Sequence, residues 1–138
     1  MSSKQLSGSC LCRTVSYRIN GPIKTFQYCH CSRCRKFTGS AHAANLFVAT
    51  EDLDWVSGED SVGNYVLDAE PGFATAFCKS CGSSLPSPSA TGRFWVVPAG
   101  ALDEDPGVRP TRSIFWASRA PWFTEVGSLP FHEDWPPR

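Results

Sequence analysis

Hydrophobic and polar residues alternate in short runs along the chain, and this pattern predicts β-strands. In the run "TVSYRI" the alternation places Val15, Tyr17 and Ile19 on one face of a strand. Similar short runs, rich in branched and aromatic residues, are "ANLFVAT", "NYVLD", "GFATAF" and "RFWVV". Eleven Gly and eleven Pro interrupt the sequence so often that no helical period is sustained. We therefore predict an all-β fold of roughly six to eight strands.

One short helix is the exception to this pattern. It is predicted to begin after Cys31, where Ser32 can cap it, and to end at Gly39. Pro86 and Pro88 favour a loop or an edge strand, since proline cannot donate to a sheet ladder. The fold is thus expected to combine small sheets with at most one short helix.

The length and charge of the chain limit the remaining possibilities. Its 138 residues fit one domain, residues 1–138, and the proline-rich tail "LPFHEDWPPR" is expected to lie over the surface. Lys plus Arg and Asp plus Glu both total 13, so no net field favours a nucleic-acid or membrane partner. The N-terminus lacks the apolar run of a signal peptide, and no run approaches the ~18 apolar residues of a membrane span. We expect a soluble, cytoplasmic protein.

The seven cysteines are the strongest chemical signal. An odd number cannot pair completely, and in a reducing compartment clustered cysteines are more often metal ligands than disulfides. They fall into three groups, found in "SGSCLCR", "YCHCSRC" and "FCKSCGS". A CxxC loop such as Cys78 to Cys81 can place two sulfurs on one zinc ion, and Gly82 permits the turn that follows.

The two CxC pairs predict the direction in which their side chains point. On extended backbone successive side chains alternate in direction, so both cysteines of a pair share one face. The residue between them then faces away, which predicts Leu11 toward the core and His30 away from a metal bound by Cys29 and Cys31. His42 and His132 are likewise not expected to be ligands.

Spacing alone leaves the assignment of the cysteines to sites open. Cys31, Cys34, Cys78 and Cys81 could form a CxxC…CxxC ribbon and leave three cysteines over. Seven thiols in any case fill one four-cysteine site and leave three for a second metal. The fourth position of that metal must come from another side chain, water or a substrate, as in catalytic zinc sites. A rubredoxin-like iron site would not need the additional three-cysteine cluster.

Several motifs together resemble the glutathione-dependent formaldehyde-activating enzyme family, which also includes centromere protein V. The matching stretches run in the family's order along nearly the whole chain: "GSCLC", "CHCSRCRKFTGS", "FCKSCGSSL", "AGALDEDPG" and "SRAPWF". The resemblance implies a zinc-stabilised fold of the β-tent type. It also implies two zinc ions per chain, one structural and one in the active site.

The resemblance further implies an assignment of the cysteines by position. It gives Cys10, Cys12, Cys78 and Cys81 to the structural ion, and Cys29, Cys31 and Cys34 to the second ion. Arg13 stands where the family usually has Gly after the first CxC. A turn with positive φ at this position would be strained by Arg, because its Cβ crowds the backbone.

The function that this arrangement favours is carbon–sulfur chemistry. The charge of a zinc ion held by three thiolates is already compensated. Such an ion is better suited to bind a thiol as its fourth ligand than to ionise a bound water molecule. The resemblance implies a zinc-dependent carbon–sulfur lyase or adduct synthase. It would form or cleave the S-hydroxymethyl adduct of a glutathione-like thiol with formaldehyde or another small aldehyde.

Candidate substrate-binding residues surround the second cluster. Arg33, Arg35 and Lys36 could bind the carboxylates of a glutathione-like thiol, or simply form a solvated cationic face. Phe37 and the aromatics of "PWF" at 121–123 are expected to pack in the core rather than to line the site. The alternative function is a non-catalytic zinc-stabilised binding module with both metals structural and "SRCRK" as its contact patch. The sequence leaves the oligomeric state open.

Overall fold

The computed structural model describes residues 5–67 and 72–137 of the chain. Residues 1–4, 68–71 and 138 lie outside the described residues, and with them Asp68 of the predicted strand "NYVLD" and Arg138 of the tail. Within the described ranges the chain forms eleven strands and a single α-helix. The strands are β1 (Leu6–Ser9), β2 (Ser16–Ile19), β3 (Ile23–Cys29), β4 (Ala43–Ala49), β5 (Leu53–Ser57), β6 (Val62–Val66), β7 (Ala74–Cys78), β8 (Ser84–Leu85), β9 (Ser87–Pro88), β10 (Phe94–Pro98) and β11 (Arg112–Ile114).

The strands pair into three small sheets, which confirms the all-β prediction. Their orders are β1-β2-β5, β11-β3-β4-β10-β9 and β6-β7-β8. Neighbours are antiparallel except for β11, which pairs in parallel with β3 and sets Ile114 opposite Cys29. There are more strands than predicted because short pairings such as the two-residue strands β8 and β9 leave little pattern in the sequence.

The main core lies between the sheet of β2 and one face of the five-stranded sheet. Val15, Tyr17 and Ile19 are fully buried, as their alternation predicted. From the five-stranded sheet, Leu46 and Val48 of β4 join them in the same cluster. Because side chains alternate along β4, Asn45 and Phe47 point to the opposite face. That second face carries the candidate site.

The helix α1 spans Ser32–Thr38 and follows β3 after two residues. Its N-cap is Cys31 and not Ser32, because the Cys31 sulfur accepts a hydrogen bond from the backbone N–H of Cys34. Gly39 ends the helix in the left-handed conformation, as predicted. The helix therefore begins inside the cysteine motif.

The proline-containing segments lie where proline is tolerated. Pro88 belongs to β9 at the edge of the five-stranded sheet, in agreement with the prediction. The tail over residues 129–137 is exposed along its length. Among the helices of the described ranges, none is long and apolar enough to span a membrane.

Candidate metal centres and the adjoining cavity

The first cysteine cluster joins two loops that are distant in sequence. Cys10 and Cys12 lie in the hairpin loop between β1 and β2, whereas Cys78 ends β7 and Cys81 lies in the turn that follows it. The four sulfur atoms lie within 4.8 Å of one another. Gly82 has a φ of 79°, and its N–H donates to the carbonyl of Cys78 at 2.8 Å. The structure thus groups the CxxC pair with the first CxC pair, and not with Cys31 and Cys34.

The sulfur positions in this cluster fit a tetrahedral zinc ion. The Sγ atoms of Cys10 and Cys12 are 3.7 Å apart, and those of Cys12 and Cys78 are 3.8 Å apart. A tetrahedron with Zn–S bonds of about 2.3 Å has edges of about 3.8 Å. A disulfide would require about 2.05 Å, and all seven cysteines are unpaired. The donor set therefore suits a metal and not a disulfide.

The hairpin loop differs from the extended conformation that was assumed for the first CxC pair. Cys10 donates its N–H to Val15 at 3.0 Å, and Arg13 donates to Cys10 at 3.0 Å, so the chain turns between them. Leu11 consequently points to solvent and is 86% exposed, so its predicted place in the core is wrong. Arg13 has a φ of 66°, so the strain anticipated there is present.

Ser83 connects the two loops of this cluster, a role that the sequence analysis missed. Its hydroxyl oxygen accepts the Leu11 N–H at 3.0 Å and lies 3.2 Å from the Cys81 sulfur. Hydrogen bonding from the Ser83 side chain and backbone lowers the pKa of Cys81 to about 5. A thiolate is the form that binds a metal, so Ser83 prepares Cys81 as a ligand. In the sequence, the position of this serine directly after the CxxCG motif could have indicated its role.

The second cluster forms where β3 meets α1. Cys29 ends β3, Cys31 caps the helix, and Cys34 lies in its first turn. Their sulfur atoms also lie within 4.8 Å of one another, and all three residues are buried. The Cys34 N–H donates to the Cys31 sulfur at 3.3 Å. One strand end and one helical turn are therefore sufficient to bring three ligands together.

The protonation of this cluster indicates that it suits a cation. The hydrogen bond from the Cys34 side chain lowers the pKa of Cys29 to about 6. The same bond, together with burial, raises the pKa of Cys34. Cys34 thus remains the hydrogen-bond donor, and the lowered pKa of Cys29 favours its thiolate form near neutral pH. Three sulfur donors fit zinc and leave one of its four positions for another ligand.

His30 lies opposite the sulfur atoms, as the alternation predicted. Its buried ring packs against His42, Trp116 and Phe123, with centroid distances of 4.9, 5.0 and 5.2 Å. Within the described part of the chain neither His30 nor His42 belongs to a cysteine group, and His132 is exposed. The segment that contains Trp116 and Phe123 therefore packs against His30, on the side of Cys29 and Cys31 that faces away from their sulfur atoms.

The expectation of core packing for "PWF" holds for one aromatic residue of the two. Phe123 is partly buried against the histidine rings. Trp122 is 65% exposed, so core packing is wrong for this residue. The difference arises because the chain turns here, with the Phe123 N–H donating to Ala120, which directs successive side chains apart.

A cavity of about 300 Å³ adjoins the second cluster. Cys29, Cys31 and Cys34 all line it, whereas none of the other four cysteines does. Its floor is the second face of the five-stranded sheet, where Asn45 and Phe47 point away from the main core. The three sulfur atoms are therefore part of the wall of a hollow that could hold a small molecule.

The three cationic residues predicted to bind substrate lie on different sides of the helix, and only Arg33 lines this cavity. Arg33 lines it, Lys36 lines a neighbouring groove, and Arg35 lines neither. Successive helical residues are about 100° apart, so three neighbours cannot all face one side. Phe37 lines the cavity and the groove and is 38% exposed, so the expectation that it packs in the core is wrong.

The fold and the two clusters define a class: a small, mostly β protein whose grouped cysteines can hold metal ions. The chain belongs to the glutathione-dependent formaldehyde-activating enzyme family, which it matches over residues 5–118. A Halomonas elongata protein that carries the name of this family is 30% identical over 129 residues, covering 89% of this chain and 82% of the relative. A crystal structure of a Rhodobacter sphaeroides protein shares the fold, with a TM-score of 0.61 and 20% identity, over 78% of this chain and 98% of that one.

Proposed function

We propose that this protein is a zinc-dependent carbon–sulfur lyase or adduct synthase. Its substrates would be a glutathione-like thiol and formaldehyde or another small aldehyde, as the family's name suggests. In this proposal the chain is one zinc-binding domain and carries two zinc ions. Cys10, Cys12, Cys78 and Cys81 hold the structural ion, and Cys29, Cys31 and Cys34 hold the second.

The observation that carries the proposal is the position of the three-cysteine cluster on the wall of the cavity. A structural site is closed by four protein ligands, whereas a working site keeps one position for its substrate. Here the incomplete ligand set is the one that meets the cavity, and the complete set does not meet it. This difference supports a division of the two sites into structure and chemistry.

The reaction joins the sulfur of a thiol to an aldehyde carbon. The sulfur electron pair forms the C–S bond, the C=O π pair moves to oxygen, and the thiol proton ends on that oxygen. The product is a hemithioacetal, and the lyase direction reverses each change. When bound, zinc would favour the thiolate form of a thiol at its fourth position.

Residues of the chain would contribute binding and orientation. Arg33 lies beside the cysteines and offers a planar guanidinium suited to one carboxylate of the thiol. Its guanidinium also lies near two rings, 5.5 Å from the centroid of Phe73 and 5.7 Å from that of Phe115. Packing between these rings would hold it in place. Lys36 could reach the thiol only from the neighbouring groove.

A cytoplasmic location belongs to the same proposal. All seven cysteines are unpaired, and thiols persist in a reducing compartment, where thiol substrates are also maintained.

The test combines zinc content with activity. Protein prepared without chelator, equilibrated with a slight excess of zinc and desalted, should contain two ions per chain and catalyse adduct formation from glutathione and formaldehyde. Cys34→Ser should remain folded, lose one ion and lose activity. Cys81→Ser should unfold or precipitate, since a structural zinc supplies about 10–16 kcal/mol against about 5–15 kcal/mol for a whole domain.

Two results would contradict the proposal. Equal loss of folding in both variants would refute the division into a structural and a working site. Two bound ions without catalysis above the spontaneous rate would refute the proposed enzymatic activity. The remaining function would be that of a zinc-stabilised binding module.

A further inference from the structure

We infer that the aldehyde partner of this site carries an apolar substituent of several carbon atoms, and that this substituent occupies the cavity. The inference rests on the proposed carbon–sulfur chemistry and specifies its substrate class. It comes from the shape and chemistry of the cavity beside the three cysteines. Formaldehyde has no substituent that could cover the apolar part of this cavity.

The cavity has an apolar lining on several sides. Val96 of β10 lines it, while its neighbour Val97 is fully buried in the main core. Phe47 of β4 lies on the same floor, and Phe73, Ile114 and Phe115 line the cavity from two other segments. These five residues come from four separate parts of the chain. A molecule between them would be covered by hydrocarbon from several directions.

These apolar side chains are incompletely buried by the protein itself. Phe47, Phe73, Val96 and Ile114 are only partly buried, and Phe115 is 52% exposed. On the core side of the same sheet, by contrast, Leu46 is fully buried. When a ligand covers apolar surface that is accessible inside a concave site, the removal of this surface from water lowers the free energy of the complex. An apolar substituent would provide this cover.

The charged groups around the cavity match only part of a glutathione molecule. Apart from the three cysteines, Arg33 is the one described lining residue with a charged side chain. The polar side chains there are neutral, including Asn45 and Gln27, whose Oε1 already accepts the Arg112 Nε–H at 2.7 Å. One carboxylate of the thiol can lie at Arg33, near the rim with Phe37. The sheet floor has no charged partner for a second ion, so it suits a neutral substituent.

The bond changes are those of the proposed reaction, with an alkyl group on the carbonyl carbon. The thiol sulfur bonds to that carbon, the C=O π pair moves to oxygen, and the thiol proton ends on oxygen. The sulfur must lie at the cysteines, so the alkyl group extends from there over Val96 and Phe47. No oxidant or further reactant is needed.

The first test uses the wild-type zinc-loaded protein, with glutathione as the thiol and straight-chain aldehydes from formaldehyde to pentanal. For each aldehyde the enzymatic kcat/KM is divided by the spontaneous second-order rate constant, which removes intrinsic differences in reactivity. Each buried methylene should raise this ratio about fourfold, the equivalent of about 0.8 kcal/mol. A ratio that stays constant or falls along the series would overturn the inference.

The second test fills the cavity. Val96→Phe places a larger side chain on the floor and should lower the pentanal-to-formaldehyde ratio by at least about tenfold, the equivalent of about 1.4 kcal/mol. Val56→Phe is the matched control, because Val56 is 53% exposed and does not line the cavity. An unchanged ratio in a folded Val96→Phe variant would also overturn the inference. If this variant does not fold, the aldehyde series measured with the wild-type protein still tests the inference.

Failure of the inference and failure of the proposed function give different results. Catalysis of formaldehyde addition that depends on Cys34, but shows no gain with chain length, would reject only the apolar substituent. Absence of catalysis with every aldehyde would reject the proposed function itself.

Discussion

Replacement of Arg13 by glycine should stabilise the protein, because Arg13 occupies a backbone conformation that favours glycine. Its φ is 66°, in the left-handed region where a Cβ atom meets the neighbouring carbonyl. The side chain is exposed, so little packing is lost when it is removed. The backbone N–H of Arg13 donates to the Cys10 carbonyl at 3.0 Å, and glycine keeps this donor, so the turn itself can remain.

The size of the effect follows from two opposing contributions. The left-handed conformation costs a residue with a Cβ about 1–2 kcal/mol, and glycine relieves this cost. Glycine also gains flexibility in the unfolded chain, which removes about 0.5–1 kcal/mol of the benefit. The central values of these ranges leave a net gain of about 0.75 kcal/mol, within a span of about 0–1.5 kcal/mol. For this chain length that corresponds to a rise in Tm of about 2–3 °C.

The assay is urea unfolding of the zinc-saturated protein at fixed free zinc, since bound metal adds to the apparent stability. Arg13→Ala is the matched control, because it removes the charge and the long side chain but keeps the Cβ. Arg13→Gly should have a higher midpoint than both wild type and Arg13→Ala, with the same denaturant slope. If Arg13→Gly is no more stable than Arg13→Ala, strain at this position is not the cause.

Two further predictions concern side-chain hydroxyl groups. Ser83→Ala should weaken zinc binding at the four-cysteine cluster about 10–100-fold, because the hydroxyl near Cys81 is lost; chelator competition measures this, and the exposed Ser80→Ala should change little. Tyr17→Phe should stabilise the protein by about 1 kcal/mol in thermal or urea unfolding, since the buried Tyr17 hydroxyl has no hydrogen-bond partner among the described residues. Burial raises the pKa of Tyr17, so the neutral phenol stabilises the folded state below about pH 10, and this contribution is lost at higher pH as the unfolded tyrosine ionises. Wild type should therefore lose more stability than Tyr17→Phe between pH 9 and pH 11, and equal losses would contradict this account.

The sequence by itself determined those features that depend on a few neighbouring residues. The alternation of Val15, Tyr17 and Ile19 identified a strand and its buried face, because side-chain direction along a strand has a period of two. The CxxC turn was recognisable for a similar reason. Cys78, Cys81 and Gly82 lie within one turn, and the φ of 79° at Gly82 follows from local geometry.

Local pattern was insufficient where the backbone left the regular strand. Leu11 lies between two cysteines as His30 does, yet His30 is buried and Leu11 is exposed. The difference is that Cys29 ends a strand whereas Cys10 and Cys12 lie in a hairpin turn. A two-residue period applies only to extended backbone, and the motif alone does not report which backbone it has.

Only the tertiary structure decided which cysteines share a site and what surrounds the second cluster. Cys12 and Cys78 are separated by 66 positions, and their sulfur atoms meet because the hairpin loop packs against the turn after β7. The cavity likewise depends on residues as distant as Phe47 and Ile114, which meet through the parallel pairing of β11 with β3. Contacts of this kind are set by the packing of whole sheets against one another, which no short segment of the chain encodes.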